Sequence, residues 1–395
     1  MNLIAGIVIL LLACIGNAEL WVILINRRHS LPYEHHVLRR VRYFHDAGLI
    51  LFPLFLLTFV GLSENGLLRG GLFSDLPLAQ RGIVIIACSG LIPLCASVIR
   101  WQLLPKTARV TETKSEVVDA LQSLHSATPE PQQRVIGNAS GLLCRLPGNQ
   151  IYQLEINHKR IAPVQSGAVN SGSRKVLKVA HFSDMHIIGC PGRGFVEFVT
   201  DQLCRLQPDA FLFTGDLIDE IELLPWAVEA FGRLAEVAPG YFILGNHDWL
   251  VEADTIRTAI VETGWIDVRQ KSLVTPLAGI DVLLAGTEAP WIGTNPAVPL
   301  RSTEQLRILL SHSPDQRDFA NAEDFDAMLC GHNHGGQVRL PVIGPVYSPS
   351  KYGVRYSGGV YQHNNMIIHV SRGTGAMDPF RWNCRPEITL LEFEC

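Results

Sequence analysis

Five short polar clusters in the second half of this chain each close a run of apolar residues: Asp184-Met185-His186, Gly215-Asp216, Gly245-Asn246-His247-Asp248, Ser311-His312 and Gly331-His332-Asn333-His334. Singly, each has an ordinary explanation, because aspartate caps turns and helices and a buried histidine is commonly satisfied by a backbone carbonyl. Five in series require a fold that brings strand ends together. Apolar segments at 176–182, 210–213, 241–244, 281–285, 306–310, 327–330 and 366–370 alternate with helix-like segments at 195–206, 223–237, 253–263 and 314–321. That rhythm predicts an α/β layered domain over 173–395, with buried strands reading as near-continuous apolar runs. Such a sheet displays its chemistry on loops at the strand ends, where the clusters fall.

Carboxylate, imidazole and amide groups without thiolates suit hard or borderline divalent ions such as Mn²⁺, Fe or Zn²⁺. Asp216 has two carboxylate oxygens and stands on a tight Gly215 turn, which makes it the natural bridge between two ions. Two ions about 3.5–4 Å apart acidify a water and clamp the oxygens of an in-line displacement at phosphorus. No serine near the clusters has a convincing triad partner, so covalent catalysis is disfavoured.

In order and spacing, Asp184-x-His186, Gly215-Asp216, Gly245-Asn246-His247-Asp248, His312 and Gly331-His332-x-His334 resemble the motif set of the calcineurin-like metallophosphoesterases. The resemblance spans roughly 175–395 and implies two mixed β-sheets flanked by helices. It also implies two divalent ions, manganese first and iron or zinc as alternatives. One would be held by Asp184, His186, Asp216 and His334, the other by Asp216, Asn246, His312 and His332. His247 would protonate the leaving oxygen or stabilise phosphoryl charge, with Asp248 orienting it. Asp219 reads equally as a partner to this set or as a helix-start aspartate.

Ser/Thr protein phosphatases of this superfamily carry Arg-Gly after the second motif and Glu after Asn-His. Here those places read Ile218-Asp219-Glu220 and Asn246-His247-Asp248, which disfavours protein phosphatase activity. Gly331 to Gln337, Ser371-Arg372-Gly373-Thr374-Gly375 and Arg385-Pro386-Glu387-Ile388 instead resemble bacterial membrane-associated phosphodiesterases. That group includes a UDP-2,3-diacylglucosamine pyrophosphatase of lipid A biosynthesis. Arg372 or Arg381 would suit a substrate phosphate, or equally a structural ion pair.

The N-terminal part, 1–104, has another character. Of 395 residues 47% are apolar, and the excess lies in runs at 3–25, 47–62 and 83–99. These predict a membrane anchor of three helices rather than buried helices of a soluble domain. Arg27, Arg28, Arg39, Arg40 and Arg42 crowd the first connection, only Arg69 and Arg81 serve the second, and Arg100, Lys106 and Arg109 follow the third run. The bias puts the N-terminus outside and the C-terminal domain in the cytoplasm, with the family resemblance suggesting a bacterial inner membrane. A cleaved signal is the competing reading of the first run, but no basic residue precedes it and apolar sequence continues past Cys14. Asn17 and Glu19 are costly in lipid and are expected to face protein or the interface.

Residues 105–172 read as a linker with opening strands: an amphipathic helix over 110–125, a Pro-rich linker at 128–133, alternating strands within 142–164, and a loop at 167–173. Nine cysteines without close pairing do not form a disulfide framework, which fits a reducing compartment. A net charge of −4 provides no basic face for nucleic acid. The expectation is a membrane-anchored hydrolase of phosphoester or pyrophosphate bonds. The anchor points to a lipid-linked substrate such as UDP-2,3-diacylglucosamine; the rivals are a phosphodiesterase or phosphatase for soluble substrates and an inactive membrane sensing module.

Overall fold

A computed structural model describes residues 3–31, 35–103, 109–124, 138–162, 175–302 and 306–395, so the expectations for 128–133 and 167–173 fall outside the described residues. The chain divides into two units. One comprises Met1–Leu104 with Pro349–Arg355, and the other Pro105–Ser348 with Tyr356–Cys395.

In the first unit, helices Leu3–His29 and His35–Leu56 are followed by a wider π turn, Leu57–Gly61, and by helices Leu78–Ser89 and Leu91–Gln102. Among the described residues, three stretches are long and apolar enough to cross a bilayer: Leu3–Arg28 (26 residues), Arg40–Gly61 (22) and Leu78–Gln102 (25). The second begins earlier than its expected run and ends at Gly61, and the third extends its run at both ends, because helix continues into residues less apolar than the run itself. Leu10, Ala13, Leu56, Val60, Val84 and Ala87 form a buried seam, while Ile4, Ile50, Ile85 and Ile92 face outward. An apolar exterior around an apolar seam is what helices bathed in lipid require. Glu19 is 7% exposed, placed toward protein as its cost in lipid demands.

The second unit is built on two mixed sheets. Its strands are β1 (Val110–Asp119), β2 (Gln153–Ile161), β3 (Val176–Phe182), β4 (Ala210–Thr214), β5 (Gly240–Ile243), β6 (Ile266–Asp267), β7 (Ser272–Leu277), β8 (Ile280–Thr287), β9 (Leu306–Ser311), β10 (Ala327–Cys330), β11 (Arg339–Leu340), β12 (Gly344–Pro345), β13 (Gly359–His363), β14 (Met366–Val370) and β15 (Glu387–Glu394). One sheet has the order β1-β2-β15-β3-β4-β5-β6, the other β13-β14-β10-β9-β8-β7, and β11 pairs with β12 as a small hairpin. In the second, the parallel block β8-β9-β10-β14 is flanked by the antiparallel pairs β7-β8 and β13-β14, while in the first the parallel block β3-β4-β5-β6 runs to the edge, β15 pairs antiparallel with β3 and parallel with β2, and β1 pairs antiparallel with β2.

Between the sheets, Val179, Leu212, Ile243, Leu284, Ile308, Leu329, Ile367 and Leu391 form one core. On the other face of the first sheet, Phe182, Phe211 and Phe213 pack with Phe231 and Trp265, whose rings lie 4.4 Å apart, and with helices Arg193–Arg205 and Leu224–Ala235. A strand buried on both faces explains why these segments read as continuous apolar runs rather than alternating ones.

Two expectations are corrected. The segment 110–125 is strand over Val110–Asp119 and helix only over Ala120–Leu124. β1 pairs antiparallel with β2, with Val118 opposite Leu154. β-branched Val110, Thr111, Thr113, Val117 and Val118 suit that ladder, and partners between Gln153 and Ile161 decide against the helical spacing. The segment therefore belongs to the catalytic sheet and is not a linker. Cys144 and Cys190 are joined by a disulfide, against the expectation of thiols throughout. Cys144 ends the helix Asn138–Cys144 and Cys190 lies in the turn after His186, so a pair separated by 46 residues in sequence meets only through the fold.

Candidate metal centre

Each polar cluster follows a parallel strand: Asp184 and His186 follow β3, Asp216 follows β4, Asn246 and His247 follow β5, His312 follows β9, and His332 and His334 follow β10. The first three strands belong to one sheet and the last two to the other, so the site straddles the mouth between the sheets.

Ligand-capable atoms of Asp184, His186, Asp216 and His334 lie within 4.8 Å of one another, as do those of Asp216, His312 and His332. Asp216 is common to both groups. Its Oδ2 stands 3.5 Å from His186 Nε2 and 3.1 Å from His312 Nε2. His186 Nε2 faces His334 Nε2 at 3.0 Å, and His334 Nε2 lies 3.4 Å from Asp184 Oδ1. On the other side His312 Nε2 is 3.1 Å from Asn246 Oδ1 and 3.2 Å from His332 Nδ1.

This donor set fits two divalent cations. Asp184 and Asp216 are 0% and 1% exposed, and among the described residues imidazoles rather than Lys or Arg stand against them. Buried carboxylates faced by converging ring nitrogens need a cation to balance them. Burial pushes the Asp184 carboxyl up. Asp216, by contrast, is held well below the usual carboxylate range by the imidazoles of His312 and His247, which outweigh its burial.

The backbone is shaped to make this convergence. Asp184, His186, Asp216, His332 and His334 all adopt left-handed φ, between 41° and 68°, a conformation costing roughly 1 kcal/mol or more for a residue with a Cβ. Gly245 and Gly331 make room beside the carboxylates. A Cβ at Gly245 would sit 2.1 Å from Asp216 Oδ1, and one at Gly331 would sit 2.1 Å from Asp184 Oδ2.

His247 stands at the edge, its side chain 24% exposed against 0–1% for His186 and His312. Its backbone N–H donates to Asp216 Oδ1 at 2.8 Å, and its Nδ1 meets Asp219 Oδ1 at 2.5 Å. Burial disfavours the charged imidazole, but Asp219 and Asp216 outweigh it and hold His247 up at about 10. The other oxygen of Asp219 meets His186 Nδ1 at 2.8 Å. Asp219 therefore orients two imidazoles of the site. This corrects the role expected for Asp248, whose carboxylate is taken up by the backbone N–H groups of Leu217, Ile218 and Gly245, at 2.8, 3.2 and 2.9 Å. Asp248 shapes the β5 turn instead of touching the His247 ring, because the helix Asn246–Val251 directs it back toward its own N-terminus.

The two arginines proposed for phosphate are structural. Arg372 Nη2 pairs with Glu387 at 2.6 Å and Glu155 at 2.8 Å. Arg381 is fully buried, and its guanidinium donates to the carbonyls of His334, Arg372, Gly375 and Cys384. A buried chain of side chains also runs from the centre into the strands. His312 Nδ1 donates to Thr214 O (2.7 Å), Thr214 Oγ1 meets His181 Nε2 (3.0 Å), His181 Nδ1 meets His369 Nδ1 (2.7 Å), and His369 Nε2 meets Lys159 Nζ (3.3 Å). Its only signal is a histidine inside each of two apolar strands.

A dinuclear-type donor set at the mouth between two mixed sheets defines a metallophosphoesterase, and residues 177–336 match the calcineurin-like phosphoesterase family, to which the chain belongs. It is a metal-dependent phosphoester hydrolase carrying helices of membrane-spanning length. The chain is similar to Phosphodiesterase YaeI of Escherichia coli (strain K12), 32% identical over 191 residues that cover 47% of this chain and 70% of that protein. It is also similar to the uncharacterized metallophosphoesterase YkuE of Bacillus subtilis (strain 168), 30% identical over 54% of this chain and 78% of that one. A transmembrane protein with metallophosphoesterase domain from Bos taurus is 28% identical, covering 55% and 53%.

Proposed function

We propose that the protein is a membrane-anchored hydrolase of a phosphodiester or pyrophosphate bond in an amphiphilic, lipid-linked molecule, acting at the cytoplasmic face of a bacterial inner membrane. The observation that carries this reading is the pairing of a metallophosphoesterase centre with three helices of membrane-spanning length. A catalytic domain held at a bilayer searches amphiphiles in two dimensions, whereas a soluble substrate gains nothing from the anchor.

In this reading Asp184, His186, Asp216 and His334 hold one divalent ion, and Asp216, Asn246, His312 and His332 the other, with manganese the first candidate. Bound there, the ions supply Lewis-acid charge to the phosphoryl oxygens and lower the pKa of an attacking water. His247 commits Nδ1 to Asp219, which leaves Nε2 to donate a proton to the leaving oxygen. Asp219 keeps the ring in that tautomer, and Asp216 fixes its backbone. Arg27, Arg28, Arg39, Arg40 and Arg42 in the first connection support a cytoplasmic catalytic unit.

The test uses the full chain in nanodiscs with Mn²⁺ and a panel of lipid-linked and soluble phosphoesters, UDP-2,3-diacylglucosamine among them. His247→Ala is expected to lose turnover by about 10²–10⁴-fold with both ions retained; retained turnover removes His247 from the chemistry. Good turnover of a soluble phosphodiester with none of any lipid-linked compound overturns the substrate class.

A further inference from the structure

Beside the centre the surface changes character. From Leu340 to Ser350 no residue is charged, and Arg339 and Lys351 flank this stretch. It begins three residues after the Gly335-Gly336-Gln337 turn that follows His334, and it includes the hairpin of β11 and β12. Leu340 and Val342 are 36% and 79% exposed. Val342 holds φ at 67°, a left-handed conformation that a β-branched residue rarely adopts.

A second loop adjoins the hairpin. Trp382 N donates to Gln337 O and Arg339 N to Trp382 O, both at 3.0 Å, and Asn383 Nδ2 donates to Arg339 O. That loop exposes Met377 (40%) and Trp382 (37%). It also carries Arg381, which donates to the His334 carbonyl. Exposed apolar residues scattered singly over a surface mean little. Four on two laced loops beside one catalytic ligand turn, with a tryptophan among them and basic residues flanking the apolar stretch, match a surface that meets a lipid interface.

We propose that the hairpin 339–345 and the loop 376–383 form a bilayer-contacting rim that seats the mouth of the metal centre on the membrane, so that an amphiphilic phosphoester enters from the lipid phase. The entry route rests on the lipid-linked substrate proposed above. Contact of the rim with lipid stands or falls independently.

The experiment places photoreactive benzoylphenylalanine at position 342 of the full chain in phosphatidylethanolamine/phosphatidylglycerol nanodiscs, and at the exposed Val274 of β7 as the comparison. After irradiation, phospholipid adducts at 342 are expected at least tenfold above those at 274. No adduct at 342, adducts to protein only, or equal labelling at the two positions overturns the contact. In parallel, V342D should lower turnover of a nanodisc-borne phosphoester tenfold or more and leave turnover of a soluble phosphodiester unchanged. Equal loss on both substrates makes the hairpin a structural element and overturns the entry route. Lipid adducts at 342 in a protein that cleaves only the soluble compound refute the substrate reading and leave the contact standing.

Discussion

Asp219→Asn isolates the residue whose role the local sequence left undecided. Its carboxylate spans two imidazoles, with Oδ2 at 2.8 Å from His186 Nδ1 and Oδ1 at 2.5 Å from His247 Nδ1, and the side chain is only 12% exposed. Asparagine has one acceptor oxygen, so it can satisfy one ring N–H and must turn an N–H donor toward the other. A hydrogen bond to a charged group contributes about 1.5–3 kcal/mol. Loss of one on the His247 side corresponds to about 10²-fold in turnover, and on the His186 side to about 10–100-fold in affinity for one ion. The assay is turnover of a phosphodiester against Mn²⁺ concentration, with the number of bound ions measured by calorimetry. A lower maximal rate together with a higher half-activating Mn²⁺ concentration is expected. Asp248→Asn is the comparator: its carboxylate serves three backbone N–H groups, so thermal stability should fall. If Asp219→Asn kept both the parent rate and the parent affinity for each ion, Asp219 would be a turn residue and its bridging role would be refuted.

Three further outcomes follow from the same geometry. Burial opposes the charge of Glu387, but Arg372 and Lys159 outweigh it and depress its pKa to about 2 from 4.5. The folded value lies below the unfolded one, so this stabilisation, about 3 kcal/mol, is present above pH 4.5 and lost as the pH falls toward 2; E387Q should flatten acid unfolding in that window, and an unchanged acid limb refutes the assignment. Removing ions with a chelator strips a fully buried pair of carboxylates of their counter-charge, and at a hundredfold excess over Kd each ion contributes about 2.7 kcal/mol; Tm of the catalytic unit should fall by about 10 °C and recover on adding Mn²⁺, and an unmoved Tm counts against resident ions. The Cys144–Cys190 bond leaves seven of the nine cysteines free, so alkylation without reductant should find seven and nine would refute the bond, while an active reporter for the far side of the membrane at the C-terminus would reverse the orientation.

The donor set was legible in the sequence because each member lies in a local string at the end of an apolar run, and the strings carry the chemistry with them. What was not legible depended on partners far along the chain. Asp219 in Gly215-Asp216-Leu217-Ile218-Asp219 looks locally like any turn aspartate, and only His186 and His247, 33 and 28 residues away, give it work. Asp248 follows His247 directly, and nearness in sequence suggested a contact that the turn of helix at Asn246–Val251 prevents. Val117, Val118, Leu121 and Leu124 have helical spacing, yet β2 supplied a ladder partner and the ladder won. Secondary structure was most readable where burial on both faces made the pattern extreme, as in β4 and β10, and least where an edge strand faces water, as in β1.

The C-terminal motif illustrates how a functional string can act without touching substrate. Arg372, within Ser371 to Gly375, suited a substrate phosphate or a structural ion pair, and the bonds of this string run inward. Thr374 N donates to Ser183 O and Gly375 N to Asp184 O, at 3.1 and 2.7 Å, while Asp184 N and His186 N are held by the carbonyls of Gly215 and Asp216. The Asp184 turn is thus fixed from both sides while its residues sit at left-handed φ. Arg372 and Arg381 hold the supporting loop, the first through Glu387 and Glu155, the second through four carbonyls that include His334's. Five ligand candidates in left-handed backbone would relax toward ordinary conformations if their surroundings allowed it, at a gain of roughly 1 kcal/mol each. Loops locked by buried ion pairs and backbone hydrogen bonds oppose that relaxation. The arginines act on the site by keeping its backbone strained and convergent, which requires them to be buried and unavailable to a phosphate.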